Sequence, residues 1–193
     1  MSRNVFITGA SSGIGKAIAY AFGKNGDDLI LCARRIGKLE EIKADIERRF
    51  GVNVYIFELD VTKYDKVVKT VKKILEKVSK VDILVNNAGL ALGLEKFQEY
   101  SIMDMEIMID TNVKGLLYVS REIIPNMVEN NTGHIINMGS TAGIYAYAGA
   151  AVYCATKAAV KFLSDGIRID TIDKNIKVST LQPGIVETDF ASG

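Results

Sequence analysis

The sequence is poor in the residues that build metal centres and disulfide frameworks. Its 193 residues include two cysteines, two prolines and a single histidine, His134. Cys32 and Cys154 lack the close spacing of a metal or redox motif, and one histidine cannot supply a His-rich cluster, so we predict no metal site. The sequence also lacks a signal peptide and a long apolar run, which favours a reduced, cytoplasmic protein.

Neither sign of charge dominates the composition. Lysine and arginine number 24, and aspartate and glutamate number 23. This balance gives no reason to expect nucleic acid or an anionic membrane as a partner. With 48% hydrophobic and 24% charged residues, the chain has the composition of one domain with a substantial core. We therefore predict a single domain over residues 1–193.

Short apolar, β-branched runs alternate with longer amphipathic segments along the whole chain. This alternation is typical of the α/β class, with a doubly wound parallel sheet (a Rossmann fold) joined by crossover helices. Ligands of such sheets bind beyond the carboxyl ends of the strands, where the strand order reverses. The predicted strands are residues 4–8, 28–33, 52–59, 81–86, 134–139 and 176–181.

Three boundaries between these elements have a recognisable local signal. Asn25-Gly26 can close a helix in the left-handed conformation, and Gly51 is predicted to end the helix that begins near Lys38. Thr62 followed by Asp65 has the spacing of a capping box, which predicts a helix start.

A glycine-rich turn follows the first predicted strand directly and precedes an amphipathic helix. Glycine lets the backbone approach a pyrophosphate, whose charge is met by the N–H groups of the helix start. The spacing Gly-x3-Gly-x-Gly lacks the Gly-Lys-Ser/Thr of a phosphate-loop NTPase, which argues against ATP or GTP. A turn without a ligand is the alternative. The residues predicted to contact the cofactor are Gly9, Ser11, Ser12, Gly13, Ile14 and Gly15.

Two adjacent arginines, Arg34 and Arg35, end the second predicted strand. Enzymes that select NAD usually carry an acid near this position to bind the ribose 2′-hydroxyl, whereas a 2′-phosphate needs a cation. Guanidinium groups can bind that phosphate bidentately. Solvated surface charges are the alternative, but we predict NADP as the cofactor.

Tyr153 and Lys157 are four residues apart in an alanine-rich segment that should be helical, so both point from one face. A free tyrosine has a pKa of about 10, and a neighbouring ammonium lowers it towards the working range of an acid/base. Ser140 ends the fifth predicted strand, and Asn112 lies in the helix before that strand. Each of these residues also has an ordinary structural interpretation when it is taken alone.

The ordered combination of these motifs resembles the classical short-chain dehydrogenases/reductases over essentially all 193 residues. Within that family, the stretch from Asp82 to about Leu163 is most similar to the NADP-dependent 3-hydroxy acid dehydrogenases that act on serine and allo-threonine. The residues that carry the resemblance are Thr8-Gly9-x3-Gly13-x-Gly15, Asp60, Asn86-Asn87-Ala88-Gly89, Asn112, Ser140, Tyr153-x3-Lys157 and Pro183-Gly184.

The resemblance implies hydride transfer between NADP(H) and a small alcohol or carbonyl substrate, with a role for each matching residue. Tyr153 would exchange a proton with the substrate oxygen, and Ser140 would orient that oxygen. Lys157 would lower the tyrosine pKa and hold the nicotinamide ribose, while Asn112 would anchor a water. The other implied cofactor contacts are Asp60, Val61, Asn86, Ala88, Gly89, Pro183, Gly184, Val186 and Thr188.

Two departures from the family pattern affect what can be expected. The segment from Pro183 to Thr188 differs from that of the 3-hydroxy acid subgroup, because one residue and the glycines before the threonine are missing. This difference leaves the identity of the substrate undetermined. Classical members have about 250 residues, so we expect a C-terminally incomplete domain here, without the usual final helix and last strand.

The same residues could also suggest other functions. His134 begins the fifth predicted strand and Ser140 ends it, roughly 20 Å away, which excludes a serine-hydrolase triad. An NADP-binding sensor would not need the four candidate catalytic residues. A 3-oxoacyl-carrier-protein reductase or a broad ketone reductase would use the same four, so both stay open.

The resemblance also implies a homodimer or homotetramer, paired through the long helices that carry Asn112 and Tyr153. An apolar surface is needed for such pairing, although side chains of this kind more often belong to the core. The candidates are Met103, Met105, Met108, Leu116, Leu117, Phe162 and Leu163.

Overall fold

A six-stranded parallel sheet forms the centre of the computed structural model, which describes residues 2–186. The strand order is β3-β2-β1-β4-β5-β6. The strands are β1 Asn4–Thr8, β2 Asp28–Ala33, β3 Val54–Glu58, β4 Ile83–Asn86, β5 Gly133–Met138 and β6 Ile176–Leu181. The predicted doubly wound α/β fold is thereby confirmed.

Helices cover both faces of this sheet. They are α1 Gly13–Lys24, α2 Ile36–Phe50, α3 Tyr64–Val78, α4 Ile102–Ile109, α5 Leu116–Glu129 and α6 Ala151–Asp170. A π-helical turn, Asp110–Gly115, joins α4 to α5, and single 3₁₀ turns occur at Phe97–Glu99 and Thr141–Gly143. Within the described residues, no helix is long and apolar enough to cross a membrane.

Strand alternation explains how the sheet supports two separate cores. Phe6, Ile30 and Leu84 point to the face that α3 and α5 cover, where they are buried. Their neighbours Ile7 and Leu29 point to the opposite face, which α1 and α2 cover. Successive strand residues face opposite sides, so continuous apolar runs are needed when both sides are buried.

The predicted boundaries differ from the observed ones where buried apolar residues lie outside the sheet. Val52 and Val81 were expected to begin strands, and both are buried, but β3 and β4 begin two residues later. Burial alone does not require a ladder hydrogen bond. Gly51 ends α2 with a φ of 68°, as predicted from its freedom to adopt the left-handed conformation.

The predicted capping box at Thr62 is wrong. Helix α3 begins after Lys63, and its first turn contains Asp65 without a side-chain cap from the preceding residue. The Thr62 hydroxyl instead donates to Asp60 Oδ1 at 2.8 Å, and the Thr62 N–H donates to the same oxygen at 3.0 Å. Thr62 therefore hydrogen-bonds Asp60, just beyond β3, and does not cap the start of α3.

The apolar side chains proposed for subunit pairing divide into three groups. Met108 and Leu116 belong to the core, with exposures of 0% and 6%. Met105 and Leu163 are partly buried. Met103 and Phe162 are exposed by 66% and 72%, and Leu117 is exposed by 37%. Of the candidates, these last three leave the most apolar surface on α4, α5 and α6.

Candidate active site

The glycine-rich turn between β1 and α1 lies against the carboxyl end of β4. Gly9 has a φ of 65°, and a Cβ at this position would lie 2.8 Å from Ala88 Cα. Asn87 Nδ2 donates to the carbonyl oxygens of Thr8 and Gly9, at 3.0 and 3.1 Å. The Thr8 hydroxyl oxygen accepts from the N–H groups of Asn87 and Ala88 at 3.1 Å. The strand order reverses between β1 and β4, so this contact lies at the expected crevice.

The start of α1 is arranged to receive an anion. The helix begins at Gly13, and within the described chain its N-cap, Ser12, makes no side-chain cap. The first N–H groups of a helix have no intrahelical partners and carry a partial positive charge. Arg35 donates to the hydroxyl oxygens of Ser11, at 3.1 Å, and Ser12, at 2.7 Å. A guanidinium group therefore lies beside the turn.

The carboxyl ends of β2 and β3 supply the polar groups at this end of the cleft. Arg34 is exposed, like Arg35, and both line the cleft. Asp60 and Val61 line the cleft as well, just beyond β3. The hydrogen bonds from Thr62 use one oxygen of the Asp60 carboxylate and fix its orientation.

Ser140, Tyr153 and Lys157 meet at the other end of the cleft. Helix α6 places Tyr153 and Lys157 one turn apart, as predicted, and the Lys157 ammonium lies 5.7 Å from the Tyr153 ring centroid. Ser140 follows β5 directly, and its hydroxyl hydrogen-bonds Tyr153. Lys157 Nζ donates to the Met138 carbonyl oxygen at 2.8 Å. The close packing of the turn after β5 on α6 requires Gly143, where a Cβ would lie 2.7 Å from the Lys157 carbonyl oxygen.

Burial shifts the pKa values of both titratable groups. It raises the pKa of Tyr153 above its usual value, and the hydrogen bond from Ser140 acts in the opposite direction. Burial lowers the pKa of Lys157 to about 8, because an ammonium loses hydration in the interior. Lys157 was expected to lower the pKa of Tyr153, but in this structure the desolvation of the phenol dominates and the pKa is raised.

Asn112 connects α6 to the loop after β4. It lies in the π-helical turn, where its Oδ1 accepts from the Leu90 N–H at 2.8 Å. Its Nδ2 donates to the Leu90 carbonyl oxygen at 2.8 Å and to Thr156 Oγ1 at 3.1 Å. The Asn112 side chain therefore has protein partners at both its oxygen and its nitrogen.

A single cleft of about 610 Å³ joins both ends. This volume is in the range of cofactor sites. Of the residues proposed from the sequence, those that line the cleft are Gly9, Ser11, Ser12, Gly13, Ile14, Gly15, Arg34, Arg35, Asp60, Val61, Ala88, Gly89, Ser140, Tyr153, Lys157, Pro183, Gly184 and Val186.

Three of the residues proposed from the sequence are not in this set: Asn86, Asn112 and Thr188. Asn112 is buried behind the cleft wall, where it binds Leu90. Asn86 was expected to contact the cofactor, but its amide points into the core and donates to Ser120 Oγ and Asn137 Oδ1, both at 2.9 Å. The next residue, Asn87, lines the cleft instead, because adjacent residues of a strand end face opposite directions. Thr188 lies outside the described residues.

Some residues of the cleft could not be identified from the sequence. Leu90 and Leu92 line the cleft after β4, and Met138 lines it at the end of β5. Leucine and methionine carry no chemical signal that separates a cleft wall from a core. Asn87, which also lines the cleft, could have been found, because it belongs to the motif Asn86-Asn87-Ala88-Gly89.

The chain's own residues fit a dinucleotide. Side chains do not fit at Gly9 and Gly15, because the turn packs so closely that a Cβ on Gly15 would lie 3.0 Å from the Gly9 carbonyl carbon. This compact glycine-rich turn, the helix start and two guanidinium groups together match a ligand with several phosphates.

Comparison with known proteins agrees with this geometry. A family described as short chain dehydrogenase matches residues 3–193. An NADP-dependent 3-hydroxy acid dehydrogenase of Escherichia coli O6:H1 is 44% identical over 189 residues, which covers 97% of this chain and 75% of that protein. A sulfoacetaldehyde reductase of Chromohalobacter salexigens is 42% identical over 191 residues, covering 98% of this chain and 75% of that protein.

A solved structure has the same fold at similar sequence identity. The closed form of a serine dehydrogenase complexed with NADP⁺ matches with a TM-score of 0.91 and 43% identity. The match covers 97% of this chain and 74% of that one.

Proposed function

Because the chain belongs to the short-chain dehydrogenase family, we propose that it is an NADP-dependent oxidoreductase that interconverts a small 3-hydroxy acid and the corresponding carbonyl compound. One observation carries this proposal. A single cleft runs from Arg34 and Arg35 to the meeting point of Ser140, Tyr153 and Lys157. A cofactor with phosphates at one end and a reactive ring at the other can span such a cleft.

The residues at the reactive end have complementary roles. NADP(H) supplies or accepts the hydride when it is bound. Tyr153 donates a proton to the carbonyl oxygen during reduction and accepts it back during oxidation, and its raised pKa suits the donor role. Ser140 positions the substrate oxygen beside that phenol. Lys157 keeps a positive charge near Tyr153, which stabilises the phenolate once the proton has left.

The arginine pair supports NADP rather than NAD. Both guanidinium groups are exposed at the end of the cleft, and Arg35 is already oriented by Ser11 and Ser12. An exposed guanidinium can bind a 2′-phosphate with charge-assisted hydrogen bonds, whereas a 2′-hydroxyl gives it little to bind. The NADP dependence named for the E. coli relative points the same way.

Relatives and pocket chemistry support a small polar substrate. The relatives are named for 3-hydroxy acids, serine and sulfoacetaldehyde, which are all short molecules with an anionic group. In this chain, Leu90 and Leu92 line the same cleft as Tyr153. Large side chains in a cleft wall select against bulky substrates.

A substrate panel tests the proposal. We expect NADP⁺-dependent oxidation of 3-hydroxypropanoate, L-serine or allo-threonine, and at least tenfold tighter binding of NADPH than of NADH, which requires about 1.4 kcal/mol. Fluorescence titration measures the binding and absorbance at the nicotinamide band measures turnover. The Arg34→Asp variant should lose the preference, whereas Arg121→Asp, on the exposed surface of α5, should keep it. Equal affinities for the two cofactors, or activity only on acyl thioesters or bulky ketones, would contradict the proposal.

We further propose that the protein is a cytoplasmic homodimer or homotetramer. The two free cysteines, Cys32 and Cys154, are buried and suit a reducing compartment. The exposed side chains of Met103, Leu117 and Phe162 offer apolar surface on α4, α5 and α6 for subunit contact.

A further inference from the structure

The loop of residues 87–96, between β4 and the Phe97–Glu99 turn, forms one wall of the cleft beside Tyr153. It has no helix or strand of its own, so its backbone needs other partners to hold one shape. Leu90 and Leu92 are its two large apolar side chains in the cleft wall. The position of these two side chains therefore depends on what anchors the loop.

Three polar side chains anchor the loop at successive points. Thr8 binds its start, through the N–H groups of Asn87 and Ala88. Asn112 binds its middle, through both backbone groups of Leu90. The Tyr100 hydroxyl is directed at its far part, where it hydrogen-bonds the Leu92 carbonyl oxygen and lies 3.0 Å from that of Gly93.

Tyr100 is held firmly enough to act as an anchor. Its side chain is only 7% exposed, and it packs with Met108 of α4 and Val152 of α6 in a small apolar cluster against which Leu92 and Tyr153 also pack. Burial raises the pKa of Tyr100, so the phenol remains a hydrogen-bond donor. The ring therefore connects the loop to the helix that carries Tyr153.

Gly93 is matched to this ring. Its φ is 68°, and a Cβ on Gly93 would lie 3.1 Å from Cε1 and Cζ of Tyr100. The loop backbone thus passes directly over the ring in a conformation that favours glycine. The next residue of the loop, Leu94, packs against Gly149, which has a φ of 76°. A Cβ added to Gly149 would lie 2.9 Å from the Leu94 carbonyl carbon.

We propose that Tyr100 is a positioning residue that sets the shape of the substrate side of the cleft by holding Leu92 and Gly93 in place. This inference rests on the proposed oxidoreductase function. The cofactor end is independent of Tyr100, because Thr8 and Asn87 hold the start of the loop against the glycine-rich turn.

Loss of the hydroxyl should loosen the substrate wall alone. In Tyr100→Phe the ring still fills its apolar site, but the carbonyl groups of Leu92 and Gly93 lose their donor. One hydrogen bond of this kind changes an equilibrium by about five- to tenfold. We expect the KM for the smallest substrates to rise by about that factor, while kcat and the Kd for NADPH stay within about twofold.

The experiment combines steady-state kinetics, NADPH titration and hydrogen–deuterium exchange of the peptide that covers residues 88–96. In Tyr100→Phe this peptide should exchange about tenfold faster. Gly93→Ala, which pushes against the same ring, should reproduce both effects. Tyr20→Phe is the matched control, because it removes a phenol that donates to Asp45 at 2.8 Å far from the cleft, and it should change neither quantity.

Each result has a definite meaning. Unchanged exchange, unchanged KM, or a rise in the Kd for NADPH equal to the rise in KM would overturn the role assigned to Tyr100. If the wild-type protein turned over no substrate of the panel, the proposed function would fail. The exchange of residues 88–96 would then decide alone whether Tyr100 anchors the loop.

Discussion

Lys157 buries a positive charge in the interior of a protein that has few buried charges. It is 6% exposed, and its ammonium has the Met138 carbonyl oxygen as a hydrogen-bond acceptor. The loss of hydration on burial lowers the pKa of Lys157 to about 8, so this environment disfavours the charged form. A buried ammonium that destabilises the fold is expected where catalysis needs it. Replacement of Lys157 should therefore lower activity and raise stability.

We predict that Lys157→Met abolishes turnover and stabilises the fold at pH 7. A pKa that falls from 10.5 to about 8 on folding corresponds to a cost of about 3 kcal/mol for the charged form. In the variant the Met138 carbonyl oxygen loses its hydrogen-bond donor, which offsets part of the gain from removing this cost. The free energy of unfolding should therefore rise by an amount on the order of 1–2 kcal/mol. Denaturant unfolding at pH 7 measures it.

The pH dependence of this gain has a definite sign. Below pH 8 both states of the wild type bind the lysine proton, so the full cost is present. Between pH 8 and 10.5 the folded state releases the proton first, so wild-type stability rises relative to the variant and the gain shrinks. Lys161→Met, which removes a half-exposed lysine paired with Asp165, should show no gain. A destabilised Lys157→Met at pH 7 would contradict the prediction.

Tyr153 is predicted to be the proton donor and acceptor. Tyr153→Phe keeps the ring but removes the only atom that can transfer the proton. We expect kcat to fall by about two to four orders of magnitude and the Kd for NADPH to change by less than about threefold. Tyr145→Phe, a change at a tyrosine that is 61% exposed, should leave kcat unaltered. Retention of most activity by Tyr153→Phe would mean that another group transfers the proton.

At the scale of elements, periodicity and glycine positions were sufficient to predict the sheet and its crevice. Strands β1, β2 and β6 match the predicted residues at both ends. The runs of β1 and β2 are buried along almost their whole length, so their signal is strong, whereas β6 alternates buried Ile176 and Val178 with exposed Lys177. The strand-to-helix turn at Gly9 and the helix end at Gly51 were also predictable, since each needs a positive φ.

Features that depend on contacts between distant residues could not be predicted. The π-helical turn at Asn112 is fixed by Leu90 and Thr156, which lie 22 and 44 residues away in sequence. The inward direction of Asn86 depends on Ser120 and Asn137. Local sequence contains neither partner, so a motif can locate such a residue but cannot tell which way its side chain points.

The contact between the glycine-rich turn and β4 gives a prediction at this scale. Gly9→Ala places a Cβ 2.8 Å from Ala88 Cα, and it also strains a left-handed backbone. We expect a loss of stability of about 1–3 kcal/mol and at least tenfold weaker NADPH binding. Thermal unfolding and fluorescence titration measure these two effects.

Gly37→Ala is the matched control for that change. Gly37 lies in the first turn of α2, and a Cβ there meets nothing within 4 Å. The substitution should be neutral or stabilise the helix by up to about 1 kcal/mol, with NADPH binding unaltered. If both variants bound NADPH like the wild type, the turn would not be the phosphate cradle.

At the scale of the whole molecule, the charges and the apolar surface have separate locations. The exposed cations of the cleft, Arg34 and Arg35, directly follow β2, whereas exposed apolar side chains lie on α4 and α6, two helices in contact with each other. Monomeric proteins rarely expose contiguous apolar patches larger than a few hundred Å². A subunit contact on these helices would also support Tyr153 and Lys157, which α6 carries.

The last prediction follows from this arrangement. Replacement of Met103 and Phe162 together by glutamate places two charges where the proposed subunits would meet, and burial of unpaired charges costs several kcal/mol. We expect sedimentation velocity to show dimers or tetramers for the wild type and monomers for the double variant, with a lower specific activity. Val68→Glu, at a 37% exposed position of α3, should leave the oligomer intact, because α3 carries none of the proposed contact residues. A wild-type protein that stays monomeric at micromolar concentration would instead assign the exposed side chains on α4 and α6 to solvent. Helix α6 would then hold Tyr153 and Lys157 through contacts within one chain, with α4, β5, β6 and the turns at Asp110–Gly115 and Thr141–Gly143.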